Sequence, residues 1–252
     1  MGIYLNPGND TFAEALASEI YVDKSGLISY ANSVAGTKQK YICVSRPRRF
    51  GKSMAAEMLA AYYDRECDSK ELFDKLEIAK DKSYQKNRNQ YNVIFLNMQE
   101  FLSDSRNVSD MINRIEKSLL WELLEKYPDV RYFDSSHLTR TSMDIYKCVG
   151  VQFIFVIDEW DCIFREEKAD KDGQKKYLDF LRSLFKDRIY VKLVYMTGIL
   201  PIKKYGTHSA LNMFDEFTMI EPRQLARFVG FTDRTYLQSK ICNDSNAKWN
   251  FQ

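Results

Sequence analysis

Two rhythms of apolar residues alternate along the chain. Uninterrupted apolar runs at Tyr41-Ile42-Cys43-Val44, at Val93-Ile94-Phe95-Leu96 and at Phe153-Ile154-Phe155-Val156-Ile157, inside 151–159, predict strands buried on both faces. Residues 191–198 predict another strand, and a short last one is expected within 214–220. Between the runs, apolar positions recur at helical spacing. Residues 108–126 place Met111, Ile112, Ile115, Leu119, Leu120, Leu123 and Leu124 on one face, and Pro128 stops that helix. Residues 52–63 predict a helix with Met54, Met58, Leu59 and Tyr62 inward, and 11–17, 27–34, 142–149, 175–186 and 222–228 predict others. Residues 19–25 form a short extended run ending in a helix-start signal. Residues 64–91 are a charge-rich connection with short helices, anchored by Leu72, Phe73, Leu76 and Ile78.

Strands alternating with helices imply an α/β three-layer domain around a mostly parallel sheet. Such a sheet binds ligands at the C-terminal ends of its strands, so the residues that leave each strand carry the chemistry. The first strand runs into a basic loop, Arg46-Pro47-Arg48-Arg49-Phe50, then Gly51-Lys52-Ser53-Met54 and a helix. Strand, loop, GKS and helix is the layout of a phosphate-binding loop. The helix N-terminus offers unpaired N–H groups to phosphate oxygens. Gly51 lets the backbone curl. Lys52 reaches the β- and γ-phosphates, and the Ser53 hydroxyl ligates Mg²⁺. Residues 46–54 are therefore the expected phosphate-contacting stretch. The usual first glycine of such a loop falls at position 46, where this chain has Arg46. Arg46, Arg48 and Arg49 have two readings: neutralising phosphate charge, or forming a basic rim paired with surface carboxylates.

The most apolar strand ends in Asp158-Glu159. Asp158 can hold the Mg²⁺ that Ser53 also ligates, and Glu159 can orient an attacking water. The alternative is that Asp158 only caps a following helix. Thr197 ends the next strand, where its hydroxyl either contacts the γ-phosphate or the water, or caps the Gly198 turn. Asp161 is expected on the surface. On this reading Lys52, Glu159 and Thr197 are catalytic, and Ser53 and Asp158 hold the metal.

Composition narrows the alternatives. Of 252 residues, 37 are basic and 35 acidic, a net charge of +2 that gives no global argument for a nucleic-acid partner. No apolar run is long enough to span a membrane, and the N-terminus lacks the pattern of a signal peptide. The five cysteines, none in a C-x-x-C pair, and the two histidines argue against a disulfide scaffold or a zinc site and fit a reducing cytoplasm.

The chain resembles the bacterial AAA-ATPase-like family. The resemblance is carried by Tyr21-Val22-Asp23-Lys24-Ser25, by Arg46-Pro47-Arg48-Arg49-Phe50-Gly51-Lys52-Ser53, by Phe155-Val156-Ile157-Asp158-Glu159-Trp160-Asp161, by Thr197-Gly198-Ile199-Leu200 and by Gly230-Phe231-Thr232. It implies a P-loop NTPase sandwich with strand order 5-1-4-3-2, ATP and Mg²⁺ as cofactors, and Arg46 as part of the family's own loop. Pro201 and the absence of a lid after residue 232 depart from the pattern; a C-terminal nuclease-like domain, frequent in the family, would begin about where residue 252 falls. Residues 1–40 are expected to pack on a core domain of 41–232, with 233–252 a polar tail. Three functions follow: an Mg²⁺-dependent ATPase, a nucleotide-gated switch acting on an unknown protein partner in a monomer or oligomer, and, with least support, a nucleic-acid module using 46–49 and Lys203-Lys204.

Overall fold

The computed structural model describes residues 2–168, 170–202 and 211–228. Its five strands are β1 (Tyr41–Ser45), β2 (Asn92–Asn97), β3 (Phe153–Asp158), β4 (Val191–Gly198) and β5 (Asp215–Phe217), in one sheet of order β2-β3-β4-β1-β5. Read from the β5 edge this is 5-1-4-3-2. Every pairing between them is parallel, so every strand must return through a crossover. All the strand ends that can carry chemistry therefore lie along one edge.

The helices are α1 (Asp10–Leu16), α2 (Gly26–Val34), α3 (Lys52–Tyr63), α4 (Lys70–Phe73), α5 (Tyr84–Asn87), α6 (Met98–Ser103), α7 (Val108–Lys126), α8 (Leu138–Val149), α9 (Cys162–Glu166) and α10 (Lys171–Phe185). Alternation along the strands divides the core in two. Ile42, Val44, Ile154, Val156, Leu193 and Tyr195 pack with α1, α2 and α3. Tyr41, Cys43, Phe153, Phe155, Ile157 and Met196 pack with α6 to α10. This is the three-layer α/β architecture that the apolar rhythms predict.

Several elements differ from expectation for local reasons. Helix α8 starts at Leu138, four residues before the expected start, and within it the Ser142 hydroxyl is satisfied by donating to Leu138 O at 2.8 Å. Helix α10 starts at Lys171, where the Asp170 side chain accepts from Gly173 N at 2.8 Å as an N-cap. Residues 222–228 yield only the 3-10 turn Arg223–Leu225. Residues 21–24 carry no regular element and are tied down by side chains: Asp23 accepts from Ser25 N and Glu77 N, and Ser25 Oγ from Ile78 N. Met54 is exposed rather than inward. Lys203-Lys204, His208, Gly230-Phe231-Thr232, Cys242 and the tail 233–252 lie outside the described residues. The cysteines among the described residues are unpaired, and no helix there is long and apolar enough to cross a membrane.

The β2 edge is covered by the chain's own start. Leu5 bridges Ile94, Phe95 N donates to Tyr4 O, and the buried Glu122 carboxylate accepts from the N–H groups of Ile3, Tyr4 and Leu5. Glu122→Gln puts a donor where acceptors are needed. We expect a loss of about 1–3 kcal/mol, measured by urea unfolding; an unchanged midpoint would show that the strap contributes nothing.

Candidate functional site

Strand β1 delivers Ser45 to the sheet edge, where Arg46 N donates to Gly198 O at 3.0 Å. Arg46 then turns under the loop. It is 2% exposed, and its Nη1 donates to Ser45 O and Phe217 O, both at 3.0 Å. The residue in the first-glycine position thus ties β1 to β5 from beneath. Pro47, Arg48 and Arg49 are exposed above it, and Arg48 and Arg49 form no ion pair with any described residue. The loop closes through two left-handed residues, Arg49 (φ 67°) and Gly51 (φ 71°). At Gly51 a Cβ would meet nothing within 4 Å, so backbone conformation rather than space makes glycine fit there.

Helix α3 opens at Lys52 with no side-chain cap, which leaves the N–H groups of its first turn available. The Ser53 side chain is exposed and has no hydrogen bond to a described residue. Lys52 is buried, and its Nζ donates to Pro47 O at 3.0 Å across the loop. Burial pulls its ammonium below the usual lysine range; Glu159, Asp158 and Asp161 oppose that, and Arg165 adds to it.

The acidic strand end lies beyond β4. In register, Val44 pairs with Thr197 on β4, and Asn97 pairs with Asp158 on β3. One intervening strand separates β1 from β3 by about 10 Å, room enough for a phosphate and a hydrated cation. Asp158 is buried and Thr197 is fully buried. The Thr197 hydroxyl donates to Asp158 Oδ1, which also accepts from Glu159 N at 2.9 Å. Oδ2 has no hydrogen bond among the described residues. Thr197 therefore holds Asp158 and does not cap the Gly198 turn. Glu57, on α3, has a carboxyl raised by burial and by neighbouring Asp158 and Glu14, so this part of the helix faces the same acid.

Glu159 follows in a left-handed conformation (φ 54°) and pairs through Oε2 with Arg165 Nη2, on α9. Asp161 is fully buried, not on the surface. Its Oδ2 accepts from Ile199 N (3.1 Å) and Leu200 N (2.8 Å), and lies 3.3 Å from Arg165 Nε. It fixes the exit of β4. Gly198 sits against it: an added Cβ would lie 2.6 Å from Trp160 Nε1 and 2.7 Å from Asp161 Oδ1, so any side chain there displaces both.

Beside the loop opens a cleft of about 220 Å³, lined by Tyr21, Val22, Phe50, Met54, Met58 and Phe228 among others. The unstranded run 19–25 forms one wall and the start of α3 another. A larger groove of about 460 Å³ runs between α7, α8 and α10 and shares no residue with the loop.

Residues 8–207 match the family described as Predicted AAA-ATPase. The chain belongs to this AAA-ATPase-like family. No curated protein matches it. The AAA-ATPase-like match includes α1 and α2 as well as the loop and both acidic strand neighbours. Two features of the site escape sequence reading: Arg165, whose only trace is its i, i+4 spacing from Asp161, and the cleft, whose walls come from distant segments.

Proposed function

We propose that this AAA-ATPase-like chain binds ATP with Mg²⁺ at the sheet edge and hydrolyses the terminal phosphoanhydride. One observation carries the reading: an uncapped helix N-terminus bearing Lys52 stands one strand away from an acidic pair whose Asp158 keeps one oxygen unengaged. The α3 N–H groups and Lys52 bind the phosphates. Arg48 and Arg49, exposed on the loop, meet phosphate oxygens, whereas Arg46 supports the loop. The cleft suits the base, with Phe50 and Met54 against its face.

Ser53 and Asp158 offer the hard oxygen donors that Mg²⁺ prefers. When bound, Mg²⁺ neutralises charge on the phosphate oxygens. Glu159 accepts a hydrogen bond from the attacking water, and Thr197 acts through Asp158 by fixing its carboxylate.

Asp158→Asn isolates the charge, because the amide oxygen can keep both hydrogen bonds that Oδ1 accepts. ATP titration of wild type in Mg²⁺ should give saturable binding, and the variant should lose about ten-fold or more of that Mg²⁺-dependent affinity with its melting temperature retained. Identical affinities with and without Mg²⁺ in both proteins would refute the reading. A nucleotide-gated switch is the second reading, favoured by the engagement of Glu159 with Arg165. It predicts tight binding with very slow turnover and a partner whose affinity differs between ATP and ADP.

A further inference from the structure

Arg165 stands among the groups of the proposed reaction without a role in it. It is largely buried, on the five-residue helix α9, one turn past Asp161. Its Nη2 pairs with Glu159 Oε2 and lies 3.5 Å from Gln99 Oε1 on α6. Nε lies 3.3 Å from Asp161 Oδ2 without hydrogen-bond geometry, and no described residue accepts from Nη1. A guanidinium carries five N–H donors in a rigid fork matched to carboxylate or phosphate. Here a single nitrogen makes the hydrogen bonds and the rest of the fork is under-used.

Its partner is equally unusual. Glu159 is the acid that would orient the water, yet one of its carboxylate oxygens is occupied by Arg165, and its backbone is held left-handed. A carboxylate oxygen engaged by a guanidinium cannot accept from a water in the same direction. Asp161 does not need Arg165 to be satisfied at Oδ2, since Ile199 N and Leu200 N already donate to it. The contacts of Arg165 with Glu159 and Asp161, which follow the end of β3, place it at the acidic strand end.

We propose that Arg165 is a positioning residue that exchanges Glu159 for the terminal phosphate of a nucleoside triphosphate, releasing the Glu159 carboxylate to the attacking water. The inference rests on the nucleotide reading above. A diphosphate lacks the competing oxygens, so it leaves the Arg165–Glu159 pair in place. The exchange forms and breaks only ionic hydrogen bonds. It makes the engagement of the water-orienting acid depend on which nucleotide is bound.

The test is a binding cycle on the full chain, with ADP and a non-hydrolysable imido analogue of ATP, both with Mg²⁺. Arg165→Ala should weaken the analogue about ten-fold while shifting ADP less than about three-fold, because only the triphosphate reaches the fork. Glu159→Gln in the wild-type background should tighten the analogue about ten-fold by removing the competitor, and in the Arg165→Ala background should leave it unchanged. A purely structural arginine would weaken both nucleotides alike and leave the Glu159→Gln effect intact. That result overturns the proposal while ATP binding itself stands. If wild type binds neither nucleotide, both readings fall. Should Arg165→Ala not fold, Arg165→Gln, which can still hydrogen-bond Glu159, takes its place in the same cycle and must show the same loss of triphosphate preference.

Discussion

Lys52→Ala should weaken ATP binding about a hundred-fold or more, as expected when a desolvated cation that pairs with phosphate is removed. The reason lies in where the ammonium sits. It is buried under the loop with a hydrogen bond to Pro47 O, and its charge is held against desolvation by Asp158, Glu159 and Asp161. Phosphate would give it a stronger partner than a carbonyl. Removing it takes away a cation that faces the acidic strand end, so the negative charge of Asp158 and Glu159 would then repel the polyphosphate. Lys52→Met, which keeps the apolar stem, separates charge from packing and should show the same loss. Calorimetric titration of both variants decides the matter. Wild-type affinity in Lys52→Met would reduce the loop to a basic turn that caps an ordinary helix.

Glu159→Gln should lower the rate of ATP hydrolysis about 100- to 1000-fold, the scale of a lost general base or water-orienting group. ATP binding should persist or tighten. Shape is nearly conserved, and Glu159 N can still donate to Asp158 Oδ1, so the metal-binding carboxylate keeps its position. What is lost is the anionic acceptor for the water. Phosphate release under saturating ATP measures the rate, and binding of the imido analogue verifies that the site is intact. Equal turnover in the variant would remove Glu159 from the reaction and leave a nucleotide-binding chain with some other route to hydrolysis.

The fold was readable from the residues to an unusual degree at its centre. The β4 and α7 boundaries coincide with the apolar pattern, since strands buried on both faces and a long one-faced helix have little choice of structure. Legibility fails where polar side chains take over the backbone. Asp23 and Ser25 accept backbone N–H groups and anchor the run 19–25, and the Asp170 cap starts α10 ahead of the apolar pattern. It fails also for charges inside the molecule. Arg46 and Asp161 look like surface residues in a linear reading, yet each is buried because it closes carbonyls or amides at strand ends.

By itself the sequence determined the strands and the long helices α3 and α7, the α/β class, the family, and which strand ends bear the Gly51-Lys52-Ser53 and Asp158-Glu159 groups, because hydrophobic period and turn chemistry are local properties. Only the tertiary structure decided what those groups meet. It gave Thr197 to Asp158, turned Arg46 beneath the loop, and brought Arg165 from a separate helix onto Glu159. Pairings of this kind depend on sheet order and on the burial that makes each charge find a partner, and neither is written in the spacing of residues along one chain.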